Sequence, residues 1–327
     1  MKVLVAIYSP VSLWNIPPSH VEQLRMGFPQ HTFAHVHDEA GVAAHIGDAD
    51  VAFMSELRPD HLAAARRLRW VHSPAAGVGS MLFPAMLDSP VVVSNSRGMS
   101  ADTIAEHVLG VTLALFRKLP LALRSQAARH WAQNDMLEPP PQRTIAGSDV
   151  LIVGLGSIGS ACAWRFAALE ATVRAVRRRV DQPTPPSVRS VGAVSDLRTL
   201  LASADVVVLT AAQTRETKRM FGASELRAMK AGAVLVNIAR GKLIDEPALA
   251  ESLATGPIGA AALDVFEHEP LDPASPLWEL PNVIITPHTS GFRPDHWDAA
   301  TALFAGNLRR FEAGEPLVNV VDKQAGY

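Results

Sequence analysis

Short apolar runs alternate with helical patterns along nearly the whole chain, and this alternation limits the possible folds more than any other feature. A strand that reads as an unbroken apolar run is buried on both faces. When a helical segment follows each such run, the strands lie parallel and helices cover the sheet. In the first third the strand candidates are KVLVAIY (2–8), FAHV (33–36), VAFM (51–54), RWVH (69–72) and VVVSN (91–95). HLAAARRL (61–68) reads as helix. So does ADTIAEHVLGVTLALFRKL (101–119), with Ile104, Val108, Val111, Leu115 and Leu119 spaced by three and four. MLEPPPQRT (136–144) holds consecutive prolines that no helix runs through. A second series follows: DVLIVG (149–154), ATVRAV (171–176), VRSV (188–191), DVVVLT (205–210), AVLVNI (233–238), GAAAL (259–263) and NVIITP (282–287). DAATALFAGNLRRFEAG (298–314) reads as a last helix that returns to the first unit. The expectation is two open parallel α/β units, the first of them discontinuous.

A length of 327 residues suits two domains, and 48% hydrophobic against 19% charged residues suits a large buried core. The formal net charge of −2 argues against nonspecific binding of nucleic acid or other polyanions. Cys162 is the single cysteine, so an intrachain disulfide and a cysteine metal cluster are both excluded. Its neighbours Ala161, Ala163 and Trp164 place it on a helix, as a buried residue without a catalytic role. The histidines are scattered without ligand spacing, and no metal is expected. MKVLVAIYSP enters a strand directly and lacks the marks of a signal peptide. No window approaches the roughly 20 apolar residues of a membrane span. The expected location is cytoplasmic.

DVLIVGLGSIGSACAWRFAALEATVRAVRRR sets Gly154, Gly156 and Gly159 in the spacing G-x-G-x-x-G, between a strand and a helix that begins near Ser157. The first glycine allows a tight turn, the second lets a pyrophosphate approach the backbone, and the third lets helix and strand pack closely. The free N–H groups of Ser157, Ile158 and Gly159 then face the phosphate at the positive end of the helix. An acidic residue normally closes the second strand and binds the adenosine ribose. Here Arg177, Arg178 and Arg179 stand there. Arginine offers planar donors to a 2′-phosphate, so the cofactor expected is NADP(H), with NAD(H) possible. The alternative is an ordinary basic corner after a strand.

Three further segments end an apolar strand in polar residues. VLVNIARGKLIDE offers Arg240, ALDVFEHEP offers Asp264, Glu267, His268 and Glu269, and VIITPHTSG offers His288. In an open parallel sheet, ligands bind beyond the carboxyl ends of the strands, where such residues converge. A histidine paired with a carboxylate can give a proton to a carbonyl oxygen, and an arginine fork can hold a carboxylate or an alkoxide. Spacing alone leaves a structural histidine and a strand-ending Arg-Gly as alternatives.

These residues and their order resemble the D-isomer-specific 2-hydroxyacid dehydrogenases, the group that includes glyoxylate/hydroxypyruvate reductases and phosphoglycerate dehydrogenase. The resemblance covers SNSRGMSADTIAEHVLGVTLAL (94–115), VGLGSIG (153–159), LLASADVVVLTAAQTRET (200–217), VNIARGKLIDEPAL (236–249), ALDVFEHEPL (262–271), LPNVIITPHTSG (280–291) and the closing EPLVNVVDKQAGY. It implies two Rossmann-like, flavodoxin-like open parallel-sheet domains. A dinucleotide-binding domain (99–291) would be inserted in a substrate domain (1–98 and 292–327). It implies Arg240 as the substrate-binding arginine, Glu269 as the carboxylate that charges and orients the histidine, and His288 as the acid–base. Thr103 and Asp264 match cofactor-contacting positions. In SPAAGVG (73–79) the backbone amides of Ala76, Gly77 and Val78 match the loop that holds the substrate carboxylate; the alternative is a plain small-residue turn. Trp131 matches a region that contacts a partner subunit in a homodimer, unless it is a core tryptophan. The chain departs from the family at Ala211 and Ala212, where Pro-Leu-Thr is usual, and after Gly77-Val78, where an aspartate is common.

The activity implied is reduction of a small 2-oxo acid, such as glyoxylate or hydroxypyruvate, to the D-2-hydroxy acid. A formate- or phosphite-type dehydrogenase shares the fold, but formate enzymes pair their histidine with glutamine where this chain has Glu269. A dinucleotide-sensing corepressor could dispense with Arg240, Glu269 and His288, all of which are present. The chain stops soon after its last helix, against a phosphoglycerate dehydrogenase with a regulatory tail.

Overall fold

A computed structural model describes residues 1–326, which divide into two compact units, 1–99 with 293–326, and 100–292. Unit 1 holds a five-stranded sheet built from β1 (Lys2–Ala6), β2 (Thr32–Val36), β3 (Val51–Met54), β4 (Trp70–Ser73) and β5 (Val92–Asn95). Its order is β2-β1-β3-β4-β5 and every pairing is parallel. Unit 2 holds β6 (Asp149–Val153), β7 (Thr172–Val176), β8 (Ser190–Gly192), β9 (Val206–Leu209), β10 (Val234–Asn237), β11 (Ala260–Leu263) and β12 (Val283–Ile285). Its order is β12-β11-β10-β9-β6-β7-β8, again all parallel. The strands overlap the apolar runs, with ends shifted by up to two residues: most are trimmed, while β2, β4 and β8 reach one residue beyond their runs. The architecture expected from the sequence is present: two parallel-sheet α/β layers of the Rossmann type.

The apolar runs pack both faces of each sheet. In β1, Val3 and Val5 join Phe53, Trp70 and Phe304 on one side, while Leu4 and Ala6 join Ala52, Met54 and Val71 on the other. The C-terminal helix His296–Ala313 covers the first of these faces, and Phe304 stacks on Phe53 at 4.4 Å between ring centroids. In β6, Leu151 and Val153 face one core, and Val150 and Ile152 face a second, with Cys162 and Phe166 of helix Ser157–Ala168. Burial pushes the Cys162 thiol up to about 12, so it stays protonated.

Two helices are shorter than the sequence pattern suggests. The long helix ends at Phe116, Lys118 turns left-handed (φ 55°), and a new helix runs Leu119–Ala127. Pro120 explains the break, since proline fits the first turn of a helix and not its interior. Helix Pro59–Ala64 stops before Arg66 because the N–H groups of Arg66 and Arg69 turn to the carbonyls of Gly47 and Asp50. No helix among the described residues is long and apolar enough to cross a membrane.

Candidate active site

The glycine turn joins β6 to helix Ser157–Ala168 in unit 2. Gly154 has φ 102°, and a Cβ there would lie 2.6 Å from the backbone of Ala211. A Cβ on Gly159 would lie 2.2 Å from the Gly154 carbonyl oxygen, so helix and turn touch only because it is absent. Gly156 differs: a Cβ there would meet nothing within 4 Å. The open space lies at the start of a twelve-residue helix, whose first N–H groups have no partner within the helix. A pyrophosphate could sit in that space, and Gly156, Ser157, Ile158 and Gly159 are the residues that could hold it. Thr210 bonds the Gly154 carbonyl, and Ala211 lies against the turn, so the TAAQT segment closes one side of the cradle.

The arginines after β7 do not act alike. The Arg177 guanidinium bends back onto its own loop, bonding the carbonyls of Gln182 and Pro183. The exposed Arg178 reaches Glu216 at 3.5 Å, linking the end of β7 to the 210–217 loop. Thr103, in the first turn of helix Ala101–Phe116, is half-buried.

Arg240, Glu269 and His288 follow β10, β11 and β12, three adjacent strands of one sheet, at their carboxyl ends. The turn after β10 is clamped by Asn237, whose Nδ2 donates to the Arg240 carbonyl (3.0 Å) and whose Oδ1 accepts from Ala239 N–H (3.1 Å). Gly241 lets this turn lie on the backbone of Phe266, 1.8 Å from where a Cβ would be. The Arg-Gly pair therefore does more than end a strand. Burial lowers the Arg240 guanidinium, the Glu269 charge opposes that, and the group remains a cation.

His288 donates from Nδ1 to Glu269 Oε2 at 2.7 Å, while Glu269 Oε1 accepts the Phe266 N–H at 3.0 Å. Burial alone would raise Glu269. The bonds from His288 and Phe266, with the positive charges of His288 and Arg240, outweigh it and hold the carboxyl below its usual range. His288 is about half exposed, and its bond to Glu269 uses Nδ1 and not Nε2. Its backbone is left-handed (φ 55°), a conformation that costs about 1 kcal/mol for a side-chain-bearing residue. Buried Asp264 holds it there. The Asp264 carbonyl accepts the His288 N–H (2.9 Å). Its carboxylate accepts the N–H groups of Thr289 (2.9 Å) and Ser290 (3.0 Å) and the Thr286 hydroxyl (2.6 Å). Glu267 faces Arg219 at 3.4 Å instead of this pair.

In unit 1, β4 runs into the SPAAGVG loop. The carbonyl of Ala75 is taken by Ser96 N–H (3.1 Å) and that of Ala76 by Asn95 Nδ2 (2.6 Å). Among the described residues the N–H groups of Ala76, Gly77 and Val78 meet no acceptor. A plain turn would satisfy some of them; three adjacent free donors offer an anion a nest. Trp131 is 87% exposed and is not a core residue.

Sequence reasoning did not anticipate Asn237, or the loop-holding bonds of the Asp264 carboxylate. The signal was an amide and an acid each closing an apolar strand, which says that a turn is tied but not to what.

Residues 109–290 match the family described as D-isomer specific 2-hydroxyacid dehydrogenase, NAD binding domain. The chain is 33% identical over 272 residues to D-3-phosphoglycerate dehydrogenase of Archaeoglobus fulgidus, covering 83% of this chain and 50% of that protein. It therefore spans about half the length of that relative. A D-isomer specific 2-hydroxyacid dehydrogenase from Xanthobacter autotrophicus, solved with NADPH and MES, superposes with a TM-score of 0.84 at 30% identity, over 100% of this chain and 99% of that one. An NADPH-dependent glyoxylate/hydroxypyruvate reductase from Sinorhizobium meliloti, solved with NADP and sulfate, gives 0.83 at 28% identity over the same shares. With a parallel α/β fold, a glycine-turn cradle and a carboxylate-bound histidine at the strand ends, the chain belongs to the D-isomer-specific 2-hydroxyacid dehydrogenase family.

Proposed function

We propose that the protein reduces a small 2-oxo acid, of the glyoxylate or hydroxypyruvate kind, to the D-2-hydroxy acid and prefers NADP(H) to NAD(H). The observation that carries this reading is the 2.7 Å bond from His288 to an ionised Glu269, with Arg240 close enough for its charge to act on that carboxylate. When bound, the reduced nicotinamide supplies a hydride. Gly156 and the first turn of helix Ser157–Ala168 would hold its pyrophosphate, Thr103 would contact the cofactor from the start of its helix, and Asp264 would lie near the nicotinamide end.

The chain's own part is proton and charge management. Glu269 fixes the Nδ1 proton of His288, so that Nε2 presents the second proton to the oxo oxygen of the substrate. As that oxygen gains negative charge it takes the Nε2 proton, and Glu269 stabilises the imidazolium beforehand. Arg240, already desolvated, supplies fixed positive charge to a carboxylate or developing alkoxide without reorganising. In unit 1, the free N–H groups of Ala76, Gly77 and Val78 offer a hold for an anionic carboxylate. The same reading includes a homodimer, supported by the exposed apolar side chains of Leu123, Trp131 and Leu137 on unit 2.

Arg178 is the better placed reader of a 2′-phosphate. Glu216, one of its contacts, is an exposed carboxylate that an incoming phosphate can replace, whereas Arg177 bonds loop carbonyls. Measured by tryptophan-quenching titration, Arg178→Ser should weaken NADPH binding about tenfold or more and leave NADH within about twofold. Arg177→Asp should disturb both, through the loop. Equal losses for the two nucleotides in the Arg178 variant would turn the arginines into a plain basic corner.

A further inference from the structure

Four buried polar side chains under the SPAAGVG loop have no part in the chemistry above, yet they form one directed chain. Trp70 and His72 of β4 and Ser94 of β5 are completely buried, and Ser96 is 2% exposed. The Trp70 indole, which can only donate, lies 2.8 Å from Ser94 Oγ. Ser94 Oγ therefore has its own proton free for His72 Nδ1, 2.7 Å away. That makes Nδ1 the acceptor and places the ring proton on Nε2, which faces Ser96 Oγ at 3.3 Å. Ser96 Oγ then donates to the carbonyl of Ser73 at 3.1 Å. The Nε2–H tautomer turns all four contacts into hydrogen bonds; the other tautomer would strand the Ser94 proton and set two acceptors against each other.

The chain ends on the first residue of the loop. With Ser96 N–H on Ala75 and Asn95 Nδ2 on Ala76, it fixes the carbonyls of Ser73, Ala75 and Ala76 from a single neighbouring strand end. The held carbonyls of Ala75 and Ala76 set the peptide planes that carry the Ala76 and Gly77 N–H groups, the Ser73 bond anchors the entry to the loop, and the N–H groups of Ala76, Gly77 and Val78 are left together without an acceptor. A loop of small residues and glycine would otherwise lose this arrangement to conformational entropy.

We propose that Trp70, Ser94, His72 and Ser96 are positioning residues for substrate binding. Their one-way hydrogen-bond chain presets the loop whose amides receive the carboxylate of the 2-oxo acid. This rests on the reading of that loop as the carboxylate cradle. The burial that lowers His72 to about 3 keeps the ring neutral, as the direction of the chain requires.

The test removes the last link with Ser96→Ala. The KM for whichever 2-oxo acid the wild type reduces should rise about tenfold, the worth of roughly one lost bond, with kcat within about twofold. NADPH affinity should be unchanged. In parallel, oxalate is titrated into ¹⁵N-labelled protein. The amide signals of Ala76, Gly77 and Val78 should respond in the wild type, and about tenfold more weakly in the variant. Ser96→Thr, which keeps the hydroxyl, should restore both. If Ser96→Ala does not fold, Trp70→Phe, which deletes the directing donor along with part of a buried ring, should raise KM by about threefold beside its loss of stability. A variant that melts earlier with KM and oxalate response unmoved overturns the inference and leaves the cradle standing. Wild-type amides that ignore oxalate while a 2-oxo acid is reduced overturn the cradle, and the inference with it.

Discussion

His288 is the residue whose conformation and chemistry are most tightly bound together. Its left-handed backbone is paid for by Asp264, through one carbonyl and both carboxylate oxygens, so the ring leaves the strand end aimed at Glu269. Glu269 is held below the ordinary carboxylate range. A depressed carboxyl stays charged as pH falls, and what depends on its charge is lost only when pH drops through that lowered value. The wild-type rate should therefore hold through mild acid and fall only at a pH below the ordinary glutamate range. Glu269→Gln should lose this acid limb and run roughly 10- to 100-fold slower throughout, as a pH–rate profile would show. An acid limb that persists in the glutamine variant would assign it to another group. The positions of Arg240, Glu269 and His288 at strand ends were legible because periodicity locates the ends of strands. The folding back of Arg177 was not, since a rotamer and a loop carbonyl leave no mark in residue spacing.

At the scale of elements, the glycine turn separates two uses of one residue type. Gly159 is glycine because a carbonyl occupies the place of its Cβ; Gly156 has empty space there and an ordinary negative φ, −95°. Gly156→Val should melt within about 2 °C of the wild type yet bind NADPH at least tenfold more weakly, since the new side chain fills the cradle and not the core. Gly159→Val should lose several degrees or fail to fold. Thermal melts with a nucleotide titration would show both, and unchanged NADPH affinity in the Gly156 variant would move the pyrophosphate elsewhere. The strands were readable because burial on both faces writes an apolar run. The division of the long helix at Lys118 was less so, since the apolar spacing continues through Leu119 and only Pro120 marks the break.

At the scale of the whole molecule, each unit has its own two-sided core, and that of unit 1 holds histidines that respond to acid. His72 in unit 1 is lowered from 6.5 to about 3 by burial, and His35 to about 4, again chiefly by burial. Above 6.5 both are neutral whether folded or unfolded and have no effect on stability. Below it the unfolded chain takes up protons that the folded unit refuses, so unit 1 loses stability as pH falls from 6.5 toward 3. For His72 this amounts to a few kcal/mol, at about 1.4 kcal/mol per pKa unit. Urea unfolding followed across that range should show a positive slope of stability with pH, flattened in His72→Asn. An equal slope in the variant would place the acid sensitivity in other groups.

The central claim is that His288 delivers the proton in reduction of a 2-oxo acid. The measurement that meets it most directly is the loss of reduced-nicotinamide absorbance with glyoxylate or hydroxypyruvate, for the wild type and His288→Asn, beside the NADPH dissociation constant of each. The account predicts turnover by the wild type, a fall of roughly 10²- to 10⁴-fold in the variant, and NADPH affinity within about twofold. Full turnover by the variant, or a wild type inert toward every 2-oxo acid with either nucleotide, would contradict it.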